Sequence, residues 1–389
     1  MIDLPRRDVH RLLLSGLALS LAGCSASGSP APGSPAPGSP APGVPSSVPR
    51  LRPGRMPVIY GHRGAPGYRP EETLASFELG VRLGADVIEL DLVPTKDHVL
   101  VARHDNEMSG TTDVARHPEF ASRMTRKRID GKSVSGWFTE DFTLAELQTL
   151  RARERLPQVR PGNTDYDGRF PVPTFEEVLD LRARLSTELG RPVGIAPETK
   201  HPSFFSSIGL PIETPMVQAL RAAGLDSADA PVLVQSFELV NLLALRTDLG
   251  LRARTIFLID ARGRPASGVP GAPADYDGFV TPAGLAFLAG KVDAIGPEKS
   301  RVIPLTTDYR LDRPTDLVRD AHAAGLEVVP WTFRAENQFL PVEFWVGTEQ
   351  AAAGRAAEEQ VAFLRTGIDG LFTDQADISV RARASFLGG

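Results

Sequence analysis

The chain of 389 residues holds one cysteine, Cys24, which excludes an intramolecular disulfide. It also lacks a basic excess: 43 Lys and Arg stand against 48 Asp and Glu, for a formal charge of −5. That balance offers nucleic acid no electrostatic grip. A small anionic substrate would have to be met by local cations or a metal, because the global field opposes it. No G-x-G-x-x-G follows any strand-like run, which counts against a dinucleotide-binding doubly wound sheet. With no second cysteine and seven histidines, a soft thiolate metal centre is also excluded.

What the sequence does have begins at the N-terminus. Arg6, Arg7 and Arg11 precede the apolar run "LLLSGLALSLAG", which is too short to span a bilayer comfortably and has signal-peptide proportions. "LAGC", ending at Cys24, resembles the lipobox of bacterial lipoproteins, in which the cysteine is lipidated and becomes the first residue. Residues 1–23 therefore read as a signal peptide and Cys24 as a lipidation site that attaches the chain to a membrane outside the cytoplasm. Arg6-Arg7 leaves general and twin-arginine export both open. From Gly28 the segment "GSPAPGSPAPGSPAPG" favours an extended, core-free chain, so residues 24–54 read as a tether.

From residue 55 to residue 389 the pattern changes. Eight β-branched runs recur: "PVIYGH", "DVIELDLV", "GIAPETK", "APVLVQSF", "RARTIFLID", "VDAIGPEK", "EVVPWTF" and "DGLFTD". Amphipathic stretches such as "TLASFELGVRLG" and "TFEEVLDLRARL" lie between most of them, and several end in glycine, as helix C-termini prefer. Eight strand–helix units predict a (β/α)8 TIM barrel, class α/β. Residues 106–172 break the alternation, being polar and rich in turn residues. They predict an insertion after the second strand that caps one mouth of the barrel.

In such a barrel the chemistry gathers at the C-terminal ends of the strands. Polar residues fall there repeatedly: His62-Arg63, Glu89 and Asp91, His104, Glu198 and Lys200, Gln235-Ser236, Glu298-Lys299, Trp331 with Arg334, and Asp374. Glu89 and Asp91, two apart in a strand, share one face about 7 Å apart along the chain. Two like charges so placed need a cation between them. With Glu198 they make a hard oxygen set suited to Ca²⁺ or Mg²⁺. The alternatives are local ones: a strand-end ion pair for Glu89 and Asp91, a core role for Trp331, and a turn cap for Asp374. His98, His117, His201 and His322 read as surface or locally structural, and the charge run "RMTRKRIDGK" as a solvated loop.

The stretch "HRGAPGYRPEETLASFELGVRLGADVIELDLVPTKDHVLVARHD", with "PETKHP", "PVPTFEEVL", "WTFR" and "DGLFTD", resembles the glycerophosphodiester phosphodiesterase family over roughly residues 56–380. The resemblance implies hydrolysis of a glycerophosphodiester to glycerol 3-phosphate and an alcohol. His62 and His104 would be the acid–base pair, with His62 taken as base and His104 as acid. Glu89, Asp91 and Glu198 would hold one divalent cation, calcium being preferred to magnesium. Arg63 and Lys200 would bind the phosphate, and Trp331 would face the substrate. Glu72 and Gln375 depart from the family pattern. Two rivals stand beside this expectation: a phospholipid-cleaving phosphodiesterase that releases a cyclic phosphate, and a catalytically silent surface lipoprotein.

Overall fold

The computed structural model describes residues 56–389. Cys24, the signal peptide and the tether lie outside the described residues. The strands are β1 (Val58–Gly61), β2 (Val87–Pro94), β3 (Leu100–Ala102), β4 (Thr125–Ile129), β5 (Lys132–Gly136), β6 (Gly194–Thr199), β7 (Leu233–Ser236), β8 (Arg254–Ile259), β9 (Ala294–Pro297), β10 (Glu327–Val328) and β11 (Gly370–Thr373). Eight of them run parallel in the order β10-β9-β8-β7-β6-β2-β1-β11. The ends of that row meet through the Asp369 N–H to the Val328 carbonyl (2.9 Å) and the Phe372 N–H to the Pro330 carbonyl (3.1 Å). All eight expected strand runs are therefore strands of a nearly closed (β/α)8 barrel.

Two-residue periodicity divides each strand between two cores. Ile88, Leu90 and Leu92 pack outward with the helices, in the larger cluster that also holds Phe77 and Val178. Tyr60, Ala196, Leu233, Ile256, Leu258, Ala294, Val329 and Phe372 fill the barrel interior. Two residues further along several strands, the inward position turns polar. Tyr60 is followed by His62, Val87 by Glu89 and then Asp91, Ala196 by Glu198 and then Lys200, Leu233 by Gln235, and Phe372 by Asp374. The apolar floor and the polar mouth are thus one alternation read at two heights.

The helices begin where capping chemistry places them. Thr73 starts Leu74–Arg82 and accepts from the Ser76 N–H. Thr174 starts Phe175–Glu188 in a reciprocal box with Glu177. The insertion between β3 and Thr174 is mostly 3-10 turns, one short helix (Leu144–Leu147) and the antiparallel pair β4–β5. The run expected to be a solvated loop is instead β4 and its turn into β5, formed by Asp130 (φ 46°) and Gly131 (φ 79°). Among the described residues no helix is long and apolar enough to cross a membrane.

Candidate active site

Strand register brings the three carboxylates together. Asp91 sits directly opposite Glu198, and Glu198 opposite Gln235, in neighbouring parallel strands. Ligand-type oxygens of Glu89, Asp91 and Glu198 lie within 4.8 Å of one another, and all three residues are buried. Glu89 accepts from the Arg63 backbone N–H (2.6 Å) and from the Gln235 side-chain amide (3.1 Å). The Lys200 ammonium lies 3.1 Å from Asp91 and 2.8 Å from Glu198. The Arg63 Nε is 3.4 Å from Asp91.

Two cationic side chains against three buried carboxylates leave charge uncompensated. Burial, with Asp91 next, pushes the Glu89 carboxyl well up. Burial also raises Glu198, to about 8, against the pull of Lys200. Burial opposes the Asp91 charge too, but Lys200 foremost, with Arg63, holds it well below the usual range. A fourth carboxyl, Glu72, is fully buried behind β2 and accepts from the Asp91 backbone N–H (3.0 Å). Burial, then Asp91 and Glu89, lifts it well above its ordinary value. Glu72 thus serves as a neutral hydrogen-bonding group. The remaining trio, all oxygen and all buried, fits a hard divalent cation.

His104 reaches the trio because β3 folds back antiparallel on β2, with the Arg103 N–H on the Asp91 carbonyl (2.9 Å). Its Nδ1 lies 2.9 Å from Asp105 Oδ1. His62, at the tip of β1, places Nδ1 2.7 Å from Asp374 Oδ1. Burial, then Arg63, lowers the His62 imidazole to about 4. Burial, then Arg63 and Lys200, takes His104 well below its usual value. A neutral imidazole facing an ionised carboxylate through Nδ1 donates that proton and leaves Nε2 bare as an acceptor. Asp374 is itself held ionised by Arg334 (3.0 Å) and Arg160 (2.6 Å), against burial. It does not cap the turn; the Thr373 hydroxyl does that, accepting from the Gln375 N–H (3.2 Å).

His62, Glu89, Asp91, His104, Glu198, Lys200 and Trp331 line one cavity of about 50 Å³. Arg63 stands behind it in left-handed backbone (φ 53°), with one guanidinium nitrogen 3.2 and 3.3 Å from the Glu71 oxygens. Trp331 donates its indole N–H to the Gly296 carbonyl (2.7 Å) and meets Phe237 edge-on at 5.6 Å. Glu298 and Lys299 turn elsewhere, to Ser300 and to Glu359. His117, His201 and His322 pair locally with Glu119, Asp130 and Asp369. Sequence reasoning missed Phe237 and Thr332 in the cavity wall and, behind it, Arg155 and Arg160 of the insertion.

A family model described as the glycerophosphoryl diester phosphodiesterase family matches residues 62–378. The chain belongs to that family. Glycerophosphodiester phosphodiesterase GDPD6 of Arabidopsis thaliana is 35% identical over 332 residues, covering 82% of this chain and 83% of that protein. A glycerophosphodiester phosphodiesterase of Haemophilus influenzae is 30% identical, over 83% of this chain and 88% of its own. The fold of this family member is shared by a putative glycerophosphoryl diester phosphodiesterase from Silicibacter pomeroyi. That match has a TM-score of 0.61 at 21% identity, with 87% of this chain and 96% of that one covered. An Oleispira antarctica phosphodiesterase, solved with its product sn-glycerol-3-phosphate, matches with a TM-score of 0.53 at 19% identity, over 85% and 97% of the two chains.

Proposed function

We propose that the protein hydrolyses glycerophosphodiesters to glycerol 3-phosphate and an alcohol, with His62 and His104 as the proton-transfer pair. The observation that carries this reading is the pairing of both imidazoles, through Nδ1, with carboxylates at the rim of one cavity that also holds the acid trio. Each imidazole then presents Nε2 to the reacting atoms. His62 accepts the proton of the attacking water as the new oxygen–phosphorus bond forms. His104 delivers a proton to the departing alkoxide as the old bond breaks. The cations Arg63 and Lys200, which help to keep His104 neutral, are offset by the phosphodiester's own negative charge, so substrate binding favours the protonated acid.

Glu89, Asp91 and Glu198 would hold one divalent cation, calcium in preference to magnesium, which when bound supplies positive charge beside the phosphoryl oxygens. Lys200 and Arg63 add charge on the same side. Trp331 and Phe237 wall the space for the alcohol or glycerol. The basic, apolar, Leu-Ala-Gly-Cys order of the N-terminus supports lipidation at Cys24 and an extracytoplasmic, membrane-attached enzyme. The test is a pair of variants, His62→Ala and His104→Ala, assayed on glycerophosphocholine alongside calcium binding by calorimetry. Both should lose turnover and keep calcium binding; a wild-type rate in either would refute the assignment. Release of a cyclic phosphate, seen by phosphorus NMR, would instead mark attack by a hydroxyl of the substrate.

A further inference from the structure

Each histidine's carboxylate partner has a second oxygen, and an arginine of the insertion engages that oxygen in both cases. Arg155 donates to Asp105 Oδ2 (2.6 Å), and Arg160 donates to Asp374 Oδ2 (2.6 Å), which Arg334 of the barrel also reaches (3.0 Å). The two arginines lie five residues apart on one turn, closed by the Val159 and Arg160 N–H groups on the Leu156 carbonyl (2.9 and 2.8 Å). Asn163 pins that turn to the barrel, donating to the Pro66 carbonyl (2.9 Å) and to Glu154 (2.8 Å). Arg160 donates to the same carbonyl (2.9 Å) and to Glu336 (2.6 Å). Arg155 also forks onto Glu71 (2.8 and 2.5 Å), the carboxylate that holds the Arg63 guanidinium.

We propose that Arg155 and Arg160 are positioning residues: the insertion orients both His–Asp pairs, and Arg63 through Glu71, from a single turn. The inference rests on His62 and His104 being the proton-transfer pair. An Asp carboxylate that uses one oxygen for an imidazole can rotate about its last bond, or take up a proton on the other. A guanidinium on the second oxygen prevents both, because its donors are directional and its charge permanent. The imidazole then stays in the tautomer that bares Nε2 to the cavity. A shared turn also keeps the two pairs in register, as opposite faces of one phosphorus require. Ion pairs elsewhere in the insertion have no such reach: Arg123 holds Glu146, and Lys127 holds Glu140 and Asp141.

The experiment compares Arg155→Met, Arg160→Met and, as a control inside the same insertion, Arg123→Met, each in the full chain. Turnover of glycerophosphocholine is split into kcat and KM, and nitrogen-15 spectra report the ring tautomers of His62 and His104. Loss of either positioning arginine should lower kcat about 10- to 100-fold, the range typical of partners that orient functional imidazoles, with little change in KM. The His104 ring should move from one Nδ1–H tautomer to a mixture in Arg155→Met, and the His62 ring should move less far in Arg160→Met, where Arg334 stays on Asp374 Oδ2, while Arg123→Met keeps both rings and kcat. Unchanged rings and kcat in the two positioning variants would overturn the proposal, as would an equal loss in Arg123→Met. The His62→Ala and His104→Ala variants separate the two levels. If those retain activity, the acid–base reading fails; if they are dead while the arginine variants are normal, only the role of the turn fails.

Discussion

Replacing Glu198 by Gln should stabilise the metal-free protein, although it deletes a buried carboxyl 2.8 Å from the Lys200 ammonium. In the absence of a cation the Glu198 carboxyl is raised to about 8 from an ordinary 4.5, with burial as the main cause. Folding therefore takes up a proton that the unfolded chain has already released at pH 7. The sign follows: between pH 4.5 and 8 the folded state binds more protons, so its stability falls as pH rises. From pH 4.5 to 7 the slope, half-developed at the lower pKa and about 1.4 kcal/mol per unit above it, sums to a cost of about 3 kcal/mol. Gln has no proton to take up and still hydrogen-bonds, and Lys200 keeps Asp91 at 3.1 Å. Glu198→Gln in chelator at pH 7 should thus be more stable by about 3 kcal/mol, roughly 4 °C in Tm for a domain of this size. Near pH 5 the advantage should shrink to about 1 kcal/mol. Calcium at a hundred times its Kd should stabilise the wild type by about 2.7 kcal/mol and leave the variant unmoved. Thermal unfolding at pH 5, 6, 7 and 8, with chelator and with calcium, reads all of this. A variant less stable than wild type in chelator at pH 7, or a gap that does not narrow toward pH 5, would refute the reasoning.

The remaining expectations are simpler. Because Glu198 titrates near 8 and Glu89 is also raised, calcium uptake at pH 7 should release protons and tighten as pH rises; calorimetry in buffers of different ionisation enthalpy counts them. Trp331→Ala opens the cavity wall and should raise KM more than it lowers kcat. Trp331→Phe, which loses the indole bond to Gly296 and part of the ring against Phe237, should cost about 1 kcal/mol of stability with near-normal kinetics. Thr174→Ala removes the cap of Phe175–Glu188 and should cost about 1 kcal/mol in urea unfolding with kcat unchanged.

Much of this site is legible because it follows strand alternation. A β-branched run that turns polar at its last inward position shows both where a barrel strand lies and what its tip carries, as with Tyr60 then His62 and Ala196 then Glu198. Register supplied what spacing could not, by setting Asp91 opposite Glu198. Asp374 was ambiguous because a carboxylate after a strand serves a turn or a partner equally well, and only His62 across the β1–β11 pairing decides it. Arg155 and Arg160 were hidden for a different reason. They sit with Arg151 and Arg153 in an irregular segment, where no period separates an inward guanidinium from a solvated one. The β4–β5 pair did carry a signal: Asp130-Gly131, flanked by Ile129 and Lys132, is the dipeptide a tight hairpin turn prefers.

In the proposed reaction water attacks phosphorus while an ion sits on Glu89, Asp91 and Glu198. Phosphorus NMR of glycerophosphocholine turnover in heavy-oxygen water tests this directly, with the enzyme chelated and then supplied with calcium. The predicted result is no turnover in chelator and, with calcium, glycerol 3-phosphate bearing one heavy oxygen on its phosphate. Turnover in chelator, a cyclic phosphate, or heavy oxygen in the released choline would contradict it.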